Sequence, residues 1–85
     1  MNNDIDKLYS VLDVKLDSIA EKILLSKLNE HDDVLNKISS HIEQSFIQAA
    51  LKITGDNISR AAKLLGINRN TLSKKVKELS NNNGE

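Results

Sequence analysis

Apolar residues recur at a helical period from the start of the chain. Ile5, Leu8, Tyr9, Leu12, Leu16, Ile19, Ala20 and Ile23 fall within roughly a 120° sector at 100° per residue. That spacing predicts a helix from Asp4 to about Leu28, roughly 36 Å long. Leu24, Leu25 and Leu28 point away from the stripe, so the end of this helix is expected to be covered on more than one side. A polar break, Asn29 to Asp33, separates it from a second helix predicted over Val34 to Thr54. There Leu35, Ile38, Ile42, Phe46, Ala49, Ala50 and Ile53 make one stripe, while Ile47 and Leu51 sit well round from it. The second half of this helix should therefore be buried on two faces, and Gly55 is placed to end it in a left-handed turn.

Beyond Gly55 the elements shorten. Asn57 is a suitable N-cap for a helix Ile58–Leu65 carrying Ile58, Ala61, Ala62 and Leu65 on one side. Gly66 stops it, Ile67 packs the corner, and Asn68 caps a last helix reaching about Leu79. On that helix Leu72, Val76 and Leu79 face inward, and Asn70, Lys74 and Lys77 project the other way. Residues 80–85 should fray. The pattern predicts an all-α chain of four helices: dimerisation helices in 1–55, a helix-turn-helix in 56–80 and a disordered tail in 81–85.

Composition narrows the reading. Eighty-five residues make one domain near the lower size limit for unaided folding. There is no Pro, only three Gly, and Tyr9 and Phe46 are the two aromatics, which disfavours a β-sandwich or barrel. Without Cys there are no disulfides or thiolate metal sites. No apolar run exceeds three residues, which excludes a membrane span. Net charge is zero but uneven: residues 1–55 carry −3 and residues 56–85 carry +3, the latter from Arg60, Lys63, Arg69, Lys74, Lys75 and Lys77 against three acids. A basic end on an acidic body suggests a polyanion partner, or simply an ordinary solvated surface.

The pair of short helices decides between them. Ala62, Gly66 and Leu72 fit a helix-turn-helix: a small residue where the helices cross, Gly where the turn needs positive φ, and an aliphatic anchor. The first two turns of the last helix then offer Asn68, Arg69, Asn70, Thr71, Ser73 and Lys74, side chains suited to base edges and phosphates. The bland alternative is an αα-corner with a polar outer face. The stretch Gly55 to Val76, GDNISRAAKLLGINRNTLSKKV, closely resembles the C-terminal motif of the Fis family, which also ends the NtrC-type activators of sigma-54 promoters. Arg60-Ala61-Ala62, the block Leu65 to Arg69 and Thr71-Leu72 carry the resemblance, which extends back through Ile42, Glu43 and Gln44.

The resemblance implies that Asn68, Arg69, Thr71 and Lys74 touch bases and phosphates, and that Asn57, Ser59, Arg60 and Lys75 hold the DNA backbone around the motif. Ser73 stands where relatives commonly carry a basic residue, Asp56 where a Gly or Arg is frequent, and Ser45 where Fis has Pro. About three residues precede the first helix, so the β-hairpin arm through which Fis engages recombinases is not implied.

A motif of about 25 residues cannot cover the stripes of two long helices. Burying six large aliphatics at ~1.5–3 kcal/mol each contributes roughly 10 kcal/mol per chain. The expectation is a homodimer with a shared four-helix core built on Ile5, Leu8, Leu12, Leu16, Ile19, Ile23, Ile38, Ile42 and Phe46. A monomeric hairpin is the alternative. Tyr9 and Phe46 are expected in the core. His31, beside Asp32 and Asp33, and His41 lack metal-ligand spacing, and no catalytic constellation can be assembled, so neither metal, cofactor, small-molecule substrate nor enzyme activity is expected. Glu43 is a candidate ion-pair partner for a basic group near the motif. The reading is a homodimeric Fis-like protein of the bacterial cytoplasm and nucleoid that binds and bends double-stranded DNA at degenerate palindromes, regulating transcription or organising the nucleoid. The DNA-binding end of an NtrC-type activator and a purely structural helical module are the alternatives.

Overall fold

A computed structural model of the chain describes residues 2–26 and 33–83, all α-helix and short connections. In order these are α1 (Asn2–Ser26), α2 (Val34–Thr54), α3 (Ile58–Leu65) and α4 (Arg69–Asn83). The expected bounds of α2 and α3 are met. Leu28, His31 and most of the polar break lie outside the described residues. The chain forms two compact units that divide between Val34 and Leu35. The second long helix thus belongs with the helix-turn-helix, because its Ile47 and Ala50 are the surface on which the short helices close.

The first unit is essentially α1. Leu16 and Ile23 are half-buried, whereas Ile5, Leu8, Leu12 and Ile19 of the same stripe are exposed. Leu24 and Leu25 are exposed too, so in the single chain the end of α1 is not covered as expected. Tyr9, on the same stripe, is 60% exposed in the single chain.

The second unit holds a small core of Ile47, Ala50, Ala61, Ala62 and Leu72, bordered by Leu51, Ile58, Leu65, Ile67, Val76 and Leu79. Its position explains the two apolar faces of α2. One face, through Ile47, Ala50 and Leu51, is filled by α3 and α4. The other retains Leu35 at 79%, Ile42 at 36%, Phe46 at 58% and Ile53 at 75% exposure, with Ile38 half-buried. Phe46 is therefore not a core residue of the single chain, because the short helices close on the neighbouring face.

Two left-handed residues, not one, turn the chain out of α2. Gly55 has φ 63° and Asp56 has φ 66°. The Asp56 amide reaches back to the Leu51 carbonyl at 2.8 Å, while the Thr54 hydroxyl donates to the Ala50 carbonyl at 2.9 Å. At the other end α4 continues to Asn83, past the expected stop at Leu79 and into the expected tail, since no Gly or Pro interrupts it before Gly84.

Candidate nucleic-acid interface

The helix-turn-helix is assembled from capping chemistry. Asn57 adopts an extended conformation and its Oδ1 accepts the Arg60 amide at 3.0 Å, which starts α3. Ile58, Ala61, Ala62 and Leu65 then recur on one side, and the two alanines are wholly buried where a larger side chain would hold the helices apart. Gly66 ends α3 at φ 73°, and the Ile67 amide donates to the Ala62 carbonyl at 3.0 Å. A Cβ at Gly66 would meet nothing within 4 Å, so this glycine serves the backbone angle rather than clearance. Asn68 starts α4, its Oδ1 accepting the Asn70 amide at 2.7 Å and its carbonyl accepting the Leu72 amide at 3.0 Å. Leu72, with no exposed surface, pins α4 to α3.

That packing decides what α4 shows to solvent. With Leu72 buried and Val76 and Leu79 half-buried, Asn68, Arg69, Asn70, Thr71, Lys74 and Lys77 are all exposed. Ser73 is half-buried, at the margin of this edge. A helix with side chains is about 10–12 Å across, and a B-DNA major groove is about 12 Å wide. On α3, Ser59 and Arg60 are exposed in the first turn, and Asn57 is exposed just before it. Between residues 56 and 83 the chain carries six cations against Asp56 and Glu78.

Five expected contact residues, Asn57, Ser59, Asn68, Arg69 and Lys75, have side-chain partners within the chain. The Oδ1 atoms of Asn57 and Asn68 are occupied by capping, which leaves their amide NH2 groups to face outward chemistry. Lys75 is half-buried and its Nζ donates to Glu43 Oε1 on α2 at 3.0 Å, the ion pair anticipated for Glu43. The same contact draws the lysine towards α2. An interaction absent from the sequence reading is a link across the motif: Arg69 Nε donates to Ser59 Oγ at 2.9 Å. Nothing in a ten-residue separation signals it. Lys63 was also unassigned; with Arg60, Ile53, Thr54 and Leu64 it lines a surface groove of about 420 Å³.

Among the described residues no group of His, Asp or Glu is arranged to hold a metal ion, and no helix is long and apolar enough to cross a membrane.

Residues 40–79 match the family model described as bacterial regulatory protein, Fis family. The chain is 38% identical over 63 residues to the DNA-binding protein Fis of Photobacterium profundum, covering 72% of this chain and 64% of that protein. It is 41% identical over the same length to the DNA-binding protein Fis of Buchnera aphidicola, with the same coverage. Over 44 residues it is 50% identical to the DNA-binding transcriptional regulator NtrC of a Bradyrhizobium species, covering 52% of this chain and 9% of that protein. The chain thus spans just under two thirds of the Fis proteins and about a tenth of the activator. No solved structure matches it.

Proposed function

We propose, from the match of residues 40–79 to the Fis family of bacterial regulatory proteins, that the chain is a member of that family and binds duplex DNA with its helix-turn-helix. It acts as a transcription regulator or a nucleoid component, not as an enzyme, in the bacterial cytoplasm. The observation that carries this reading is the exposed edge Asn68 to Lys74, held outward by the burial of Leu72. Asn, Arg, Thr and Lys on a helix that fits the major groove supply both base-edge and phosphate contacts.

The active form is a homodimer. Helices in proteins draw most of their stability from packing an apolar face, yet α1, 25 residues long, keeps Ile5, Leu8, Leu12 and Ile19 exposed. α2 adds a second uncovered face at Ile42 and Phe46. A two-fold pair burying these faces, with Leu16, Ile23 and Ile38 among them, gives a four-helix core. Each helix-turn-helix then meets one half of a degenerate palindrome. As in the family it resembles, two recognition helices closer than one duplex turn would require the DNA to curve, so sequence choice is partly indirect.

A second reading is favoured by the 50% identity to NtrC over 44 residues: the chain serves as the DNA-binding end of a sigma-54-dependent activator. An ATPase segment encoded in the same native reading frame would decide for it.

Salt dependence tests the shared claim. If the dimer neutralises ~8 phosphates, the log–log slope of affinity against salt is about −7, an affinity loss of about 10⁴-fold between about 50 and 200 mM. A flat, weak titration would instead identify a helical interaction module.

A further inference from the structure

We propose that Ser59 is a positioning residue for base reading, acting through Arg69. This rests on the DNA-binding reading above and adds a role within it. Ser59 lies in the first turn of α3 and Arg69 opens α4, and both are exposed. The Arg69 Nε–H donates to Ser59 Oγ at 2.9 Å, so the guanidinium is tied at its inner nitrogen to the other helix of the motif. A guanidinium has five N–H donors in a rigid plane. Using the one on Nε fixes that plane and leaves the four on the terminal nitrogens. Those form the end-on fork that matches the two major-groove acceptors of guanine.

Without the serine hydroxyl, a long arginine at a helix start samples many rotamers and donates as a mobile charge. It still attracts phosphate but selects a base poorly. The hydroxyl accepts from Arg69, which leaves its O–H free to donate a hydrogen bond to a backbone phosphate oxygen. Ser59 then couples the register of the motif on the backbone to the direction of the arginine. The resemblance alone assigned Ser59 only to the DNA backbone.

The test is selection from a pool of randomised DNA duplexes, performed on the full chain as parent, Ser59→Ala, Ser59→Thr, Arg69→Lys and the double variant Ser59→Ala/Arg69→Lys. Alanine is the better helix former at this exposed position, so Ser59→Ala is expected to fold, which a thermal melt checks. The parent enriches a guanine at a symmetric pair of positions, and replacing it weakens parent binding by about 10- to 100-fold. For Ser59→Ala the selected duplex loses about tenfold more affinity than the unselected one, which loses only the phosphate contact, so discrimination falls by about tenfold. Ser59→Thr restores the discrimination. Arg69→Lys removes it, and adding Ser59→Ala to Arg69→Lys removes nothing more.

The proposal is overturned if Ser59→Ala keeps the parent's guanine preference. It is also overturned if that variant weakens selected and unselected duplexes equally, which would make Ser59 a phosphate contact only. A parent that binds no duplex overturns the DNA-binding reading, and this role with it.

Discussion

Replacing Leu8 by Asp separates the chain from the pair, because the position is 68% exposed in the single chain and lies on the stripe assigned to the interface. Within one protomer the substitution removes little packing and costs only a helix propensity difference of about 0.5 kcal/mol. In the dimer it matters more. Full burial of a leucine is worth ~1.5–3 kcal/mol, so the exposed two thirds amount to about 1–2 kcal/mol per protomer and about 2–4 kcal/mol per two-fold pair. Burying two carboxylates without partners adds at least a further ~2 kcal/mol, and the sum of about 4–6 kcal/mol raises the dimer Kd by roughly 10³- to 10⁴-fold. Sedimentation equilibrium reads this directly, with far-UV circular dichroism following the helicity that α1 loses without a partner. A parent that sediments as a monomer, or a Leu8→Asp chain that associates as tightly as the parent, refutes the assigned interface.

Three further outcomes are expected. Leu72→Ala empties the one large side chain with no exposure among the described residues and should cost about 2–5 kcal/mol in denaturant unfolding, enough to melt α3 and α4; a loss below about 1 kcal/mol would show that Leu72 does not hold the motif. Asp56→Gly places a residue free of Cβ strain at φ 66° and should raise stability by about 0.5–1 kcal/mol, seen as a higher Tm. It should also tighten DNA binding at low salt by removing an acid from the basic end; an unchanged Tm would mean the Asp56 side chain repays its backbone strain. Arg69→Ala should abolish preference for selected duplexes with helicity intact, whereas Lys77→Ala should weaken all duplexes alike and lower the dimer's salt slope by about two, one contact per protomer; equal behaviour of the two would misplace the recognition edge.

The boundaries of α2 and α3 were legible because the chain marks them with residues that have one local use. Asn57 can cap, and Gly55 and Gly66 can take positive φ. The two faces of α2 were legible from periodicity, since Ile47 and Leu51 lie about 120° or more from Phe46's stripe. Which face is filled within the chain was not, because periodicity gives the direction of a side chain and not its neighbour. Tyr9 and Phe46, on the stripes expected to meet a second copy, stand exposed in the single chain. The end of α4 was misplaced because polar Asn residues weaken a helix without stopping it. The second left-handed residue, Asp56, carries no distinctive signal, as Asp also suits ordinary turns. In the candidate site, exposure of Asn68, Arg69, Asn70 and Lys74 followed from the buried positions between them. The Arg69–Ser59 link depends on how two helices cross, which spacing within either helix does not encode.

The central claim is that the first turns of α4 enter a DNA groove. An amide chemical-shift titration of the full chain with a duplex tests it residue by residue. The account predicts the largest movements over Asn68 to Lys74 and at Ser59 and Arg60, with Ile5, Leu8 and Leu12 unmoved. Stationary signals over Asn68 to Lys74 in the presence of bound duplex would contradict it.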